Sequence, residues 1–291
     1  MEVKIKKINF NFLFRNRRED GILQKVRDKY NRKDLNVLII GAGALANFVA
    51  INLTDLEVGK ITIIDNDKIE ETNLNRQILY FDSVGEHKAS VLKKRLKEIN
   101  NKNRYNYNLS YFDASSKKYF GWFNKPDILI DCVDNFKTRS ILNKFAVKYK
   151  IPLISGGTSP LAGQIVVYVP GVTSCLSCEL NIDKLAEKRE SERRGCTEVP
   201  EGSVVTTNQI IGGLMVGELY RLLNGITPSP GTIKYISSEE ERVGFVKSHK
   251  PCECHSKNNI KIPLSEKKKF KFSFPFVGWR NIKQLFTKEE I

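Results

Sequence analysis

The sequence predicts an α/β fold built on a doubly wound, mostly parallel sheet. Three observations predict it. Short apolar runs, Asn36–Ile40, Lys60–Ile64 and Ile128–Asp131, read as buried strands. Segments with helical spacing separate them; between Gly85 and Asn100, for example, Ala89, Leu92, Leu96 and Ile99 fall on one face. The first run also ends in a Gly-rich turn, Gly41 to Gly43, that opens a helix reaching about Thr54. Strand and helix alternating in this way indicate a parallel sheet covered by helices.

The other elements follow in chain order. Val3, Ile5, Ile8, Phe10, Phe12 and Phe14 recur nearly every second residue and suggest a short strand, ahead of a polar helical stretch from Arg18 to Arg32. Further strands are expected over Asn106–Phe112, Pro152–Ser155 and Gln164–Val169, and a helix over Asn135–Tyr149. After Pro170 the pattern changes. The charged segment Asp183–Arg194 reads as a mobile loop, and a long apolar helix runs from about Val204 to Leu223. Thr232–Ile236 and Val243–Val246 close the unit as a C-terminal antiparallel extension. The chain thus divides into an N-terminal segment (1–35), a central domain (36–260) and a basic, aromatic tail (261–291). The tail's Lys267–Phe272 and Trp279-Arg280 suit RNA or a membrane surface, or equally a closing strand and helix. Gly212, Gly213 and Gly217 inside the long helix each cost about 1 kcal/mol relative to Ala. Close packing against the sheet or a second subunit would offset that, so a homodimer is expected.

Composition sets the limits. With 41% hydrophobic and 28% charged residues the chain is ordinary globular protein. No stretch approaches the roughly eighteen apolar residues of a membrane span. The N-terminus lacks the continuous apolar core of a signal peptide. A cytoplasmic protein without stable membrane insertion is expected. The net charge of +15 points to an acidic partner (a protein, ATP, RNA or an anionic membrane surface) or to a Lys-rich solvated surface alone. Four of the six cysteines form two close pairs, Cys175/Cys178 and Cys252/Cys254. In a reducing compartment such pairs favour metal over disulfide, and four thiolates would make a closed, structural zinc site. His255 stands next to the second pair and could replace one sulfur.

The string Gly41-Ala42-Gly43-Ala44-Leu45-Ala46 follows a strand and opens a helix, as in Rossmann-like nucleotide sites. Glycine at the first two positions permits a tight turn and close approach of backbone to phosphate. The helix N-terminus supplies free N–H groups and partial positive charge. Asp65 ends the next strand, about 20 residues on, where an acidic residue accepts from ribose hydroxyls. Alone, this motif is equally compatible with a nicotinamide enzyme.

The residues that follow narrow the reading. Ile64-Asp65-Asn66-Asp67 leads into Asn73-Leu74-Asn75-Arg76-Gln77, then Gly85 and Lys88. This resembles the MoeB/ThiF superfamily, which includes the ubiquitin-activating enzymes, over roughly Arg15 to Cys254. The resemblance implies ATP- and Mg2+-dependent adenylation of the C-terminal carboxylate of a small β-grasp carrier protein ending in Gly-Gly. It implies ATP contacts from Gly41, Gly43, Ala44, Asp65, Asp67, Asn73, Arg76, Lys88, Asp134 and Asn135. Arg76 and Lys88 would be the phosphate-binding pair and Asp134 the magnesium-associated aspartate. Asp134 also reads as a helix N-cap, and Asp67 as an organiser of its loop. The transition state spreads negative charge over phosphate oxygens, so fixed cations and a metal are what such a site must supply. In Phe14-Arg15-Asn16-Arg17-Arg18, Arg17 matches by spacing the family arginine that crosses a dimer interface to the partner's ATP. The resemblance also implies Zn2+ on the two cysteine pairs.

Cys196, in Arg193-Arg194-Gly195-Cys196-Thr197, resembles the family's catalytic cysteine, which takes the activated acyl group as a thioester or acyl-disulfide. Two adjacent arginines would favour its thiolate, the reactive form. Three other readings stand beside carrier activation: a tRNA threonylcarbamoyladenosine-modifying enzyme, a peptide-adenylating enzyme, and a non-catalytic partner-binding subunit. The paired cysteines speak against the tRNA enzyme. The joint presence of Asp65, Arg76, Lys88 and Asp134 speaks against the non-catalytic subunit.

Overall fold

A computed structural model of the chain describes residues 35–56, 58–112, 126–192, 202–223, 231–237, 243–246 and 254. The expected N-terminal strand and helix, Arg17, Cys196, Cys252 and the tail lie outside the described residues. Everything described belongs to the first of two units into which the chain divides, Met1–Lys261; the second, Ile262–Ile291, lies outside them.

Among the described residues one eight-stranded sheet organises the fold. Its strands are β1 (Asn36–Ile40), β2 (Lys60–Ile64), β3 (Arg104–Asn108), β4 (Ile128–Asp131), β5 (Leu153–Thr158), β6 (Ala162–Tyr168), β7 (Thr232–Ile236) and β8 (Val243–Val246), in the order β3-β2-β1-β4-β5-β6-β7-β8. The first five are parallel, and β6, β7 and β8 are added antiparallel. The sheet is therefore mostly parallel with an antiparallel extension, as expected. Strand order reverses at β1, between β2 and β4, and in sheets of this kind ligands bind beyond the carboxyl ends at such a point.

The α-helices among the described residues are α1 (Ala44–Asp55), α2 (Lys88–Ile99), α3 (Phe136–Tyr149), α4 (Leu176–Leu180), α5 (Ile182–Glu192) and α6 (Val205–Leu223). Side chains alternate between the faces of each strand. Leu38, Ile40, Leu129, Leu153 and Tyr168 share a core with Phe145 of α3, Leu176 of α4 and Ile182 of α5. Each such side chain contributes roughly 1.5–3 kcal/mol when fully removed from water. On the other face α6 packs closely on α1 and on β5 and β6. A Cβ on Gly212 would lie 2.9 Å from Phe48 Cβ and 3.3 Å from the Val49 amide, so this glycine permits the close approach. Gly213 and Gly217 meet nothing within 4 Å among the described residues, and packing inside the fold does not explain them.

Two expectations need correction. The segment from Asp183 is not a loop: α5 runs from Ile182 to Glu192. Its Leu-Ala-Glu-Lys-Arg-Glu stretch consists of strong helix formers. Ile182 is fully buried, and Asp183 accepts from Ser140, Lys144 and Ser177, tying the first turn to α3 and α4. Burial pushes the Asp183 carboxyl up, but those three donors outweigh it and hold it below the ordinary carboxylate value. β3 also starts earlier than expected, at Arg104, because Arg104–Asn108 pairs residue for residue with Lys60–Ile64.

Candidate nucleotide-binding site

A cleft of ≈ 1470 Å³ opens beyond the carboxyl ends of β1, β2 and β4. The Gly-rich turn forms one wall. Gly41 has φ +91, and a Cβ there would lie 2.7 Å from the Cys132 carbonyl oxygen, so both conformation and space demand glycine. Gly43 is the N-cap of α1, without a side-chain cap, and has open space where a Cβ would stand. Ala44 and Leu45 of the first turn line the cleft, and first-turn amides have no partner within a helix. Backbone donors and the positive end of the helix dipole are thus presented together, which is what an anion requires.

The turn is clamped by groups that sequence reasoning missed. The Ala42 amide donates to Asp65 Oδ2 at 2.6 Å, and the Ala42 carbonyl accepts from the Tyr80 hydroxyl at 2.6 Å. Tyr80 is fully buried, which pushes its phenol well above its ordinary value and keeps it a donor. Asn47 Nδ2 donates to the Gly43 carbonyl, and its Oδ1 accepts from the Leu79 amide, both at 3.0 Å. The one signal for Asn47 was a polar residue in the apolar run 44–50; Tyr80 had none.

Asp65 accepts from the Asp67 amide as well as from Ala42, and burial raises its carboxyl above the ordinary value. A carboxylate offers about four lone-pair sites, so it can still accept from a ligand. Asp67, exposed on the loop, pairs with Lys88 at 2.9 Å, and its carbonyl accepts the Lys88 amide. It organises the loop, as its alternative reading proposed. Lys88, first residue of α2, is only 9% exposed. Asn73 is buried; its Oδ1 accepts from the Glu70 amide and its carbonyl from the Arg76 and Gln77 amides. Asn73 therefore shapes the short turn that carries Arg76, whose guanidinium donates to Thr72 and Asn75.

The opposite wall comes from the end of β4. Here Asn135, not Asp134, caps α3: Asn135 Oδ1 accepts from the Thr138 amide at 2.8 Å. Asp134 is exposed, and among the described residues its carboxylate takes one hydrogen bond, from Asn135 Nδ2 at 3.5 Å, which leaves it open to a ligand. Behind it lies a buried ion pair absent from the expectations. Asp131, with no exposure, accepts from Arg139 Nε at 2.9 Å and from the Ser155 hydroxyl at 2.6 Å. Arg139 Nη2 also donates to the carbonyls of Val133 and Gly156. The pair ties the ends of β4 and β5 together beneath the cleft. Cys132 is buried, and burial pushes its thiol well up, in keeping with a packing role. The cleft continues over β6 and β7, past Gln164, Lys234 and Tyr235.

The structure thus brings Gly41, Gly43, Ala44, Asp65, Asp67, Asn73, Arg76, Lys88, Asp134 and Asn135 around one cleft. Elsewhere, Cys175, Cys178 and Cys254 converge, with sulfur separations of 3.8, 3.5 and 3.6 Å. Tetrahedral zinc with Zn–S bonds of ~2.3 Å sets its sulfurs roughly 3.8 Å apart, so the three thiols fit such an ion. Burial and the two neighbouring sulfurs push the Cys254 thiol well up.

Fold and cleft together define a doubly wound α/β protein with an open cleft at the switch point of its sheet. The chain belongs to the ThiF family, whose model matches residues 20–256. It is 37% identical over 152 residues to the sulfur carrier protein ThiS adenylyltransferase of Bacillus subtilis, covering 51% of this chain and 45% of that protein. It is 34% identical over 176 residues to the adenylyltransferase and sulfurtransferase MOCS3 of Aedes aegypti, covering 60% and 40%. Among solved structures, Escherichia coli MccB with ATP superposes with a TM-score of 0.64 at 26% identity, over 79% of this chain and 68% of that one. The chain spans about half the length, or less, of these two curated relatives. Among the described residues, no helix is long and apolar enough to cross a membrane.

Proposed function

We propose that this protein adenylates the C-terminal carboxylate of a small ubiquitin-like or sulfur-carrier protein ending in Gly-Gly. The observation that carries the reading is the cleft itself. It combines the first turn of α1, whose amides have no partner within the helix, two cations (Arg76 and Lys88) and an open carboxylate, Asp134, at the switch point of the sheet. The names of the relatives, both adenylyltransferases, support it.

The carboxylate oxygen attacks the α-phosphorus of ATP, the bond to the bridging oxygen breaks, and pyrophosphate leaves. Charge grows on phosphate oxygens as this happens, where the α1 amides, Arg76 and Lys88 stabilise it. Asp134 would hold Mg2+, which when bound neutralises phosphate charge. Asp65 would accept from the ribose hydroxyls. The extension of the cleft over β6 and β7 gives an extended C-terminal tail a place to lie. The Cys196 thiolate then attacks the acyl carbon, the carbon–oxygen bond to AMP breaks, and a thioester forms. Zn2+ on Cys175, Cys178, Cys254 and Cys252 would be structural. A homodimer with Arg17 acting in trans completes the reading, in the cytoplasm.

Incubation with ATP, Mg2+ and a Gly-Gly-ending carrier should yield carrier acyl-AMP by mass spectrometry and a thiol-sensitive conjugate on gels. Cys196→Ser should keep the first and lose the second; a conjugate that persists in Cys196→Ser refutes the covalent step. For the metal, about one zinc per chain is expected on release of thiol ligands with a mercurial reagent, falling sharply in Cys178→Ser. Equal zinc in both proteins refutes the cysteine site.

Peptide adenylation is a second reading. It is favoured by the likeness to MccB, the microcin C7 biosynthetic enzyme also solved with N-formylated MccA, at 25% identity and a TM-score of 0.63.

A further inference from the structure

At the opposite end of the sheet, where the parallel strands begin, a half-open cavity of ≈ 690 Å³ lies between the starts of β1, β2 and β3 and the last turns of α2. Four cations line it, Lys60, Lys93, Lys97 and Arg104, against a single carboxylate among the described residues, Asp127. Asp127 is already engaged, its Oδ2 accepting from the Asn36 amide at 2.8 Å. Among the described residues, Lys93, Lys97 and Arg104 pair with no carboxylate. Lys93 sits 5.0 Å over the Tyr107 ring, and Arg104 Nε donates to the Gly59 carbonyl at 3.3 Å. Lys93 and Lys97 are one helical turn apart, a spacing at which like charges repel.

Two buried donors in the same wall find no acceptor among the described residues: Asn103 Nδ2 and the Tyr105 hydroxyl, whose residues are only 8% and 7% exposed. Burial pushes the Tyr105 phenol up to about 12, and the adjacent Asn103 amide only partly offsets this. The hydroxyl therefore stays protonated at neutral pH, a donor beside the Asn103 amide. A buried donor without an acceptor is costly, and so are crowded, uncompensated cations. A ligand with several anionic oxygens relieves both, and phosphate provides them through charge-assisted hydrogen bonds. The volume suits a nucleotide-sized group.

We propose that this cavity is a second anion site, which takes a phosphate group between Lys93, Lys97 and Arg104 at its rim and Asn103 and Tyr105 in its wall. The phosphate can come from a free small molecule or from an RNA backbone, and the net charge of +15 suits either. Nothing in the proposal depends on the reaction assigned to the nucleotide cleft.

Lysine-acetylation footprinting of the full chain, read by mass spectrometry, localises the ligand. The probes are inorganic pyrophosphate, a short RNA oligonucleotide, and NaCl at matched ionic strength. Pyrophosphate is expected to slow acetylation of Lys93 and Lys97 several-fold relative to NaCl while leaving the exposed Lys150 unaffected. Protection by RNA without protection by pyrophosphate assigns the phosphate to a polynucleotide. Rates equal to those in NaCl with both probes overturn the proposal. Tyr105→Phe removes only the hydroxyl, so the protecting concentration should rise about tenfold. Its melting temperature without ligand should hold or rise, because an unpartnered donor has been removed. An unchanged protecting concentration in Tyr105→Phe also overturns the site as drawn.

Discussion

Arg139→Met is expected to destabilise the folded protein by about 3–5 kcal/mol, the usual cost of leaving a buried charge without its partner. Asp131 has no exposure, and after the substitution its Oδ2 keeps only the Ser155 hydroxyl. The Val133 and Gly156 carbonyls lose their donor at the same time. For a domain of this size the melting temperature should fall by roughly 10 °C. Adding Asp131→Leu should recover part of the loss, because an apolar pair of similar volume often replaces a buried ion pair without penalty. Urea unfolding of both variants checks this; a single variant within about 1 kcal/mol of the parent contradicts the role given to the pair.

Lys88→Ala is expected to lower ATP–pyrophosphate exchange by about 10²–10³-fold while leaving stability nearly unchanged. The first effect follows from its place in the cleft, nearly buried at the start of α2. The second follows from the one ion pair it makes among the described residues, with Asp67, whose side chain is 58% exposed; a pair with an exposed partner contributes at most about 1 kcal/mol. Exchange rates and melting curves on the same preparations separate the two. A Lys88→Ala protein that melts far lower and exchanges no more slowly would mark Lys88 as a structural residue.

The strands of the parallel sheet were legible because they are short apolar runs buried on both faces, as in Val37–Ile40 and Ile61–Ile64. The Gly-rich turn was legible because glycine at position 41 meets a local demand for positive φ. β3 was misplaced because Arg104–Asn108 is largely exposed, so its place comes from pairing with β2 rather than from its own pattern. α5 was misread because its charged sequence hides one anchor, Ile182, and the Asp183 side chain that ties its first turn to α3 and α4. Tyr80, Asn47 and the Asp131–Arg139 pair were invisible for a related reason. Tyr80 reaches back 38 positions to Ala42 and Asn47 is held by Leu79, 32 positions on, as well as by nearby Gly43, while the Asp131–Arg139 pair, eight positions apart, depends on Ser155 from another strand. Nothing in the sequence told Asp134 from Asn135 as the cap of α3, a choice that decides which of them remains open to the cleft.

The most direct test of the central claim is ATP–pyrophosphate exchange with Mg2+, run with Gly-Gly-ending carrier proteins, with short peptides, with tRNA and with no substrate. Exchange is expected only with a carrier protein and should be lost in Asp134→Ala. Exchange with tRNA or with peptides alone, or none with any carrier, would contradict carrier activation.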